Sequence, residues 1–148
     1  MFDVETAAFD AGVERIGEKF VRVGKVAADA SPLWPKVGEV FAEFQRQVFA
    51  SGHDWPALSP ETVRIKKDAT ILVGKTGLLR EAATSPVPIE SNAVYAKFGV
   101  THGEVPYAHW HARGAGVPRR DPVPNMSPAV VQDILRIVAE RVREEFAK

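Results

Sequence analysis

The histidines are the side chains whose type and spacing come nearest to supporting chemistry. His109 and His111 are separated by one residue, and His102 and His53 lie elsewhere in the chain. Imidazole is a common metal ligand, but residues two apart point the same way only on a strand. No third ligand is identifiable at helical spacing beside them. We therefore expect structural or interface histidines. Two alternatives from another class are a host-encoded interaction module and a small metal-dependent nuclease that uses His109 and His111.

Three arginines follow these histidines and could contact phosphate. They are Arg113, Arg119 and Arg120, and Asp121 opposes them directly. Such a small positive patch is a weak signature of nucleic-acid binding. Salt bridges between subunits, or ordinary solvation, are the commoner roles of side chains in this setting. We treat Arg113, Arg119 and Arg120 as candidate contacts between subunits.

Sequence signatures of common enzyme classes are incomplete in this chain. Gly74-Lys75-Thr76 looks like the end of a phosphate-binding loop, but Ala69 stands where such a loop needs its first glycine. No Gly-x-Ser-x-Gly segment occurs. Cysteine is absent, which excludes disulfides, thiolate nucleophiles and cysteine-based metal sites. We expect a protein that is not an enzyme, with no catalytic residue, no cofactor and no metal.

Length and charge restrict the partners. Nineteen basic residues balance nineteen acidic ones in a chain of 148 residues, so no general attraction to nucleic acid or anionic lipid is expected. No apolar run approaches the roughly 18 to 20 residues that a membrane-spanning helix needs. The first residues include Asp3, Glu5 and Asp10 and no early basic group, so no targeting segment is predicted. We expect one domain over residues 1–148, without a specific nucleic-acid partner or a membrane.

Apolar spacing predicts a long amphipathic helix near the start of the chain, from about Val4 to Ala28. Its apolar residues recur at alternating steps of four and three: Phe9, Val13, Ile16, Phe20, Val23 and Ala27. The prolines of Ser31-Pro32 and Trp34-Pro35 interrupt it. A second helix is predicted from about Pro35 to Ala50, with Gly52 as a left-handed cap. We expect these two helices to pack as an antiparallel pair.

Shorter elements are predicted in the middle of the chain. Ser59 should cap a short helix that runs to about Lys67. Another short turn is predicted around Thr76 to Ala83, with Thr76 as its cap and Leu78 and Leu79 as the buried anchors. Alternating residues predict a hairpin from Val87 to Val100 with its turn at Ser91-Asn92.

The last third of the chain combines an irregular segment with a clear helix. Glycines and prolines predict an exposed arm between Gly103 and Pro124 that contains one short structured turn. Ser127-Pro128 begins a helix whose apolar residues are Val131, Ile134, Leu135, Val138, Val142 and Phe146. The predicted class is α+β: long amphipathic N-terminal helices and a C-terminal helix packed on a small antiparallel β-sheet, with an extended Gly/Pro-rich arm.

Short segments in the middle of the chain follow one another in a recognisable order. They are Trp55-Pro56-Ala57-Leu58-Ser59-Pro60-Glu61-Thr62, Lys66-Lys67, Ile71-Leu72-Val73, Thr76-Gly77-Leu78-Leu79-Arg80, Pro106-Tyr107-Ala108, His111, Gly114 and Pro118-Arg119-Arg120. This order resembles the phage virion morphogenesis family, also described as tail-completion or neck proteins of tailed bacteriophages. The resemblance covers about Phe49 to Pro124. The chain departs from the pattern at Ala57, which is inserted, and at Asp121, where a proline is expected.

The resemblance implies a structural virion protein at the head-to-tail junction or tail end, assembled in the host cytoplasm. Such a protein forms part of a ring, six-fold or twelve-fold, that completes the neck or tail end and allows heads and tails to join; a tail terminator of the same junction is the alternative. Its partners would be other copies and other phage neck, head-closure, tail-terminator or tail-tube proteins. The arm from Arg113 to Pro124 and the outer face of the first helix are the predicted contacts.

The residues that carry the motif have a simpler role as well, because ordinary core packing explains Trp55, Leu58, Leu72 and Leu79. The motif is therefore interpreted as a folding signature more than a binding site. Its residues are Trp55, Pro56, Leu58, Ser59, Pro60, Thr62, Lys66, Leu72, Thr76, Gly77, Leu79, Tyr107, Ala108, His111, Gly114, Pro118 and Arg120.

Overall fold

A computed structural model describes residues 3–73 and 76–148, with side chains from residue 13 onward. The elements in chain order are α1 (Asp3–Ala28), a 3-10 turn (Ser31–Leu33), α2 (Trp34–Ser51), α3 (Pro60–Lys66), α4 (Leu78–Ala83), β1 (Glu90–Ser91), β2 (Ala96–Lys97), α5 (Ala108–Arg113) and α6 (Pro128–Ala147). Helices and one antiparallel strand pair confirm the α+β class. Two predictions lie outside what the structure describes: the position of the Phe9 side chain on the first helix, and the Gly74-Lys75 segment.

Local signals set most helix boundaries. The Ser59 hydroxyl accepts a hydrogen bond from the Thr62 amide at the start of α3, and the Ser127 hydroxyl accepts one from the Val130 amide at the start of α6. Gly52 ends α2 in the left-handed region, with φ of 73°. α4 differs from the prediction in one detail: its N-cap residue is Gly77, with φ of 68°, and the Thr76 hydroxyl, one residue earlier, accepts from the Leu78 amide over 3.4 Å.

The predicted hairpin is present but short. Each strand has two residues, and Glu90 pairs with Lys97 while Ser91 pairs with Ala96. The Asn92 carboxamide oxygen accepts hydrogen bonds from the amides of Val94 and Tyr95, which closes the turn. The flanking prolines lack amide donors, which limits how far the first strand can extend.

The long helices pack through α6. Phe20 of α1 meets Phe146 of α6 edge to face, with ring centroids 6.2 Å apart, and the Arg22 guanidinium Nε donates to the Glu145 carbonyl over 3.4 Å. Later residues of α1 meet earlier residues of α6, so the two helices are antiparallel. α6 is also the main helical partner of α2. The expected α1–α2 pair is therefore wrong as the main packing of these helices: both pack chiefly on α6.

The hairpin packs on the first half of α2. Gly38 allows this approach, since a Cβ at that position would stand 1.9 Å from the Pro86 carbonyl oxygen. Phe41 stacks on Phe98 with centroids 5.3 Å apart, and the Trp34 indole donates to the Asn92 carbonyl.

The main hydrophobic core lies between the second half of α2, α4 and the segment that leads into α5. Its buried residues are Val48, Phe49, Trp55, Leu79, Ala83, Val105 and Ala108. Leu79 is fully buried, as predicted, whereas its neighbour Leu78 is 42% exposed and is not an anchor. Among the helices described, none is long and apolar enough to cross a membrane.

Candidate functional site

The motif segments converge on the core although they are far apart in the sequence. Trp55 is buried, packs edge to face on Phe49 with centroids 5.2 Å apart, and donates its indole N–H to the Asp121 carbonyl over 2.9 Å. Leu79 and Ala108 belong to the same cluster. We call Phe49, Trp55, Leu79, Ala108 and Arg120 the motif hub. It joins α2, α4, α5 and the segment after α5.

Arg120 holds this arrangement together through polar contacts. Its side chain is 5% exposed, and its guanidinium donates to the carbonyls of Pro56 over 2.7 Å and Ala57 over 3.0 Å. Its backbone amide donates to the His111 carbonyl over 2.8 Å. The prediction that Arg120 contacts another subunit is therefore wrong for this fold, because its donors are used inside the chain.

The remaining motif residues around α3 and α4 shape the backbone. The hydroxyls of Ser59 and Thr62 are 2.8 Å apart at the start of α3, and Pro60 occupies its first turn. The Lys66 ammonium binds the Thr70 carbonyl after the helix ends. Leu72 is half-buried against the core with φ of 60°, and the Thr76 hydroxyl accepts from the Leu78 amide over 3.4 Å. Leu58 is half-buried. These contacts set the path of the backbone, which agrees with the interpretation of the motif as a folding signature.

The motif residues around α5 also shape the backbone or pack against the core. Tyr107 precedes α5 and packs against the core. Gly114 ends α5 with φ of 73°, and a Cβ there would lie 3.2 Å from the Arg119 Cβ. Pro118 is exposed. Both sides of the exposed loop 115–119 are thus fixed, at Gly114 by the helix cap and at Arg120 by its hydrogen bonds.

The histidines do not form a metal centre among the residues that the structure describes. His109 and His111 lie on helix α5, where residues two apart point to different sides. His102 is close to His109, with ring centroids 5.1 Å apart, but no group of three potential ligands occurs within the described ranges. This geometry gives no support to a nuclease that uses His109 and His111 together.

His111 has an electrostatic environment of its own. Burial, and to a smaller extent the nearby Arg120 guanidinium, lowers the pKa of His111 below its ordinary value of 6.5. Its Nδ1 is buried and has no hydrogen-bond partner within residues 3–73 and 76–148. The ring is therefore neutral at pH 7 and acts as a packing residue beside the hub.

An uncovered apolar surface runs along α1 and α6. Large side chains on these two helices are between 38% and 65% exposed: Val13, Ile16 and Phe20 on α1, and Val131, Leu135, Val138 and Phe146 on α6. We call these seven residues the apolar stripe. The Phe20–Phe146 contact joins its two parts, so the stripe is continuous. Exposed apolar surface of this extent is typical of interaction sites.

The stripe adjoins the internal packing of α6. Val130 and Asp133 face α2, and Arg141 and Glu145 face α1. Val131, Leu135 and Val138 follow at steps of four and three, and Val138 lies on the same side as Glu145, seven residues later, so the exposed side of α6 continues from its buried side. From Val131 to Phe146 this side extends over about 22 Å at 1.5 Å per residue.

Sequence reasoning predicted an apolar side of the first helix at Val13, Ile16 and Phe20, and separately named the outer face of that helix as a contact without assigning residues to it. The structure leaves these three side chains exposed, and the contact itself stays a prediction. Sequence reasoning missed the outer side of α6, because an amphipathic pattern shows that a helix has an apolar side without showing what covers it. The width of the apolar arc on α6, which includes both Ile134 and Leu135, was the available signal.

Two of the three candidate arginines remain available for contacts. Arg113 ends α5 and Arg119 ends the exposed loop 115–119, and both side chains are exposed.

Comparison with known proteins gives no relative. No protein-family model matches the chain, and no curated protein and no solved structure matches it either.

Proposed function

We propose that the chain is a structural protein of a tailed-phage virion that forms part of a ring at the head-to-tail junction. The observation that carries the proposal is the apolar stripe, which leaves seven large side chains uncovered on α1 and α6. Burying a fully exposed side chain of this kind contributes roughly 1.5 to 3 kcal/mol, and these side chains are 38% to 65% exposed, so each would contribute roughly half of that to association. The order of the motif segments supports the choice of a phage virion protein as the class.

The arrangement of the motif agrees with a building block. The motif residues hold the fold through buried packing at Trp55 and Leu79 and through the Arg120 hydrogen bonds. A virion part must keep its shape while its surface engages neighbours, and a fixed hub serves that need. Recognition then falls to the surface outside the hub.

The exposed loop 115–119 is the second proposed contact. It is the part of the predicted Gly/Pro-rich arm that lies between two anchored ends, and it carries Arg119 beside Arg113 at the end of α5. These two side chains would form salt bridges with an acidic patch on another subunit or on a neighbouring neck, head-closure, tail-terminator or tail-tube protein. Assembly would take place in the host cytoplasm, and the finished protein would reside in the virion.

Disruption of the gene in the encoding phage tests this proposal. We expect full heads and separate tails in electron micrographs of the lysate, and joined particles after complementation with the wild-type gene. Mass spectrometry of purified wild-type particles should detect the chain. Normal infectious particles without the protein would contradict the proposal, and tails of uncontrolled length would replace the joining role by termination.

A further inference from the structure

We propose that protonation of His111 releases loop 115–119 from the motif hub, so that the loop opens in acid while the rest of the chain stays folded. The proposal goes beyond the proposed function, because it concerns the conformation of a single chain and does not depend on assembly into a virion. It rests on the way in which His111 and Arg120 lie against each other.

Arg120 attaches the second end of the loop to the hub. Its backbone amide donates to the His111 carbonyl over 2.8 Å, and its guanidinium donates to the carbonyls of Pro56 and Ala57. The side chain is buried, and within the described residues its hydrogen-bond partners are carbonyl groups and not carboxylates. A buried cation that is held by carbonyl dipoles alone tolerates a second positive charge beside it poorly.

The His111 ring is placed so that only its uncharged form fits the folded hub. Its Nδ1 is buried and finds no hydrogen-bond partner in the part of the chain that the structure describes. A charged imidazole carries a proton on both nitrogens, so protonation would turn Nδ1 into a buried donor without an acceptor. Such an unpaired buried donor costs free energy in addition to the repulsion between His111 and Arg120.

The other titratable groups around His111 do not offset its charge. They are Tyr107, Glu104 and Asp121 and, on α5 itself, His109 and Arg113. The Tyr107 ring meets the His111 ring edge to face with centroids 6.4 Å apart, and a phenol is neutral in acid. The two carboxylates accept hydrogen bonds from Thr101 and Val123, and His109 and Arg113 lie on other sides of the helix. Burial first and the Arg120 guanidinium second lower the pKa of His111, and no carboxylate of the described residues counteracts them.

Opening of the loop relieves both costs without unfolding the core. Residues 115–119 are all exposed, so few buried contacts are lost when they move. Displacement of Arg120 would bring its guanidinium and the His111 ring into water, while Leu79, Ala83 and Val105 stay packed in the core. Segments with few buried contacts open at a smaller cost in free energy than the whole fold.

Amide hydrogen exchange, followed residue by residue from about pH 7 to about pH 5 on the full chain at monomeric concentration, tests the proposal. The Arg120 amide reports on the loop, because it is bonded to the His111 carbonyl, and the Val48 amide inside α2 reports on global unfolding. After correction for the intrinsic rate, the Arg120 amide should be less protected than the Val48 amide at every pH. Its protection should fall by up to about tenfold for each pH unit, since opening takes up one proton.

Variants of the histidines identify the group that titrates. His111→Gln removes the imidazole and should make the protection of the Arg120 amide independent of pH over this range. His111→Phe keeps an aromatic ring against Tyr107 and serves as a second neutral variant. His102→Gln changes an exposed histidine outside the loop, and this matched control should keep the wild-type pH dependence. The wild-type slope remains decisive if a His111 variant folds poorly.

Three results would overturn the inference. Equal protection of the Arg120 and Val48 amides at every pH would show that the loop opens only when the whole chain unfolds. A pH-independent Arg120 amide in the wild type would show that His111 takes up its proton without moving the loop. Wild-type pH dependence in both His111 variants would assign the effect to another group. None of these results bears on the proposed function, because the exchange is measured on the single chain.

Discussion

The motif hub and the apolar stripe place their side chains in opposite environments within one chain. In the hub, Leu79 is fully buried, and the Arg120 guanidinium donates to two carbonyls of the same chain. In the stripe, Ile16, Phe20 and Leu135 are each more than half exposed. The hub hides apolar groups and satisfies polar ones, whereas the stripe presents apolar groups to the surroundings.

The difference in burial between hub and stripe indicates which substitutions should change folding and which should change association. Substitutions in the hub should act on folding, because nearly everything there faces inward. Substitutions at stripe residues outside the Phe20–Phe146 contact should act on association, because these exposed side chains contribute little to the free energy of folding of the isolated chain. The motif residues thus lie in the hub, and the contacts that we propose lie on helices outside it.

The adjacent leucines Leu78 and Leu79 give the largest expected effect. Leu79→Ala should lower the free energy of unfolding by about 2 to 5 kcal/mol, because the buried side chain leaves a cavity. Leu78→Ala, at a site 42% exposed, should cost about 1 kcal/mol or less. Urea denaturation of both variants measures the contrast. Similar losses in the two would show that the core is not where this structure places it.

Neighbouring arginines provide the next test. Arg120→Ala should lower the free energy of unfolding by about 2 to 3 kcal/mol, since the Pro56 and Ala57 carbonyls lose their charged donor. Arg119→Ala, at an exposed site, should stay within about 0.5 kcal/mol of the wild type. Equal free energies of unfolding for the two variants would show that the Arg120 side chain does not stabilise the hub.

A buried glutamine in α2 predicts a gain in stability. Gln45 has no exposed surface, and neither its carboxamide oxygen nor its nitrogen has a hydrogen-bond partner among the residues that the structure describes. Gln45→Leu should raise the free energy of unfolding by about 1 kcal/mol, because an unpaired buried amide is replaced by an apolar group of similar size. The exposed Gln47→Leu is the control and should change stability little. A loss on Gln45→Leu would mean that this amide is partnered in solution.

The lowered pKa of His111 predicts a pH effect on the hub. Below about pH 6.5 the unfolded chain binds a proton more readily than the folded chain, so stability falls as the pH drops through this range and is fully present above it. His111→Gln should flatten that part of the curve. Denaturation at a series of pH values measures it, and an unchanged slope would assign the dependence to other groups.

The stripe should show the smallest effect on the stability of the isolated chain. Leu135→Ser should leave the free energy of unfolding within about 0.5 kcal/mol of the wild type at dilutions where the chain is monomeric, because Leu135 is 53% exposed. A loss above 2 kcal/mol would show that this side chain is covered within its own subunit.

Much of the fold was predictable because its signals are local. Ser59 and Ser127 cap their helices through hydroxyls within three residues, and Gly52 supplies a left-handed backbone that few other residues adopt readily. The hairpin turn at Asn92 also follows from a nearby side chain. Such features depend on neighbours in sequence and are visible there.

The wrong predictions concern contacts between distant residues. The partner of α1 proved to be α6, more than a hundred residues away, and apolar spacing carries no information about which helix covers which. Arg120 was predicted to lie in an exposed arm, but its guanidinium donates hydrogen bonds to the carbonyls of Pro56 and Ala57, and the side chain is buried. The choice between Leu78 and Leu79 likewise depends on where α4 meets the core.

Sedimentation velocity over a concentration series tests the central claim, that the apolar stripe is the surface through which copies associate. The wild type should sediment as species larger than one chain, growing with concentration, while Ile16→Ser combined with Leu135→Ser should sediment as a single chain. Leu78→Ser, an exposed leucine outside the stripe, should behave like the wild type. A wild type that stays monomeric at all concentrations, or a stripe variant that still assembles, would contradict the claim.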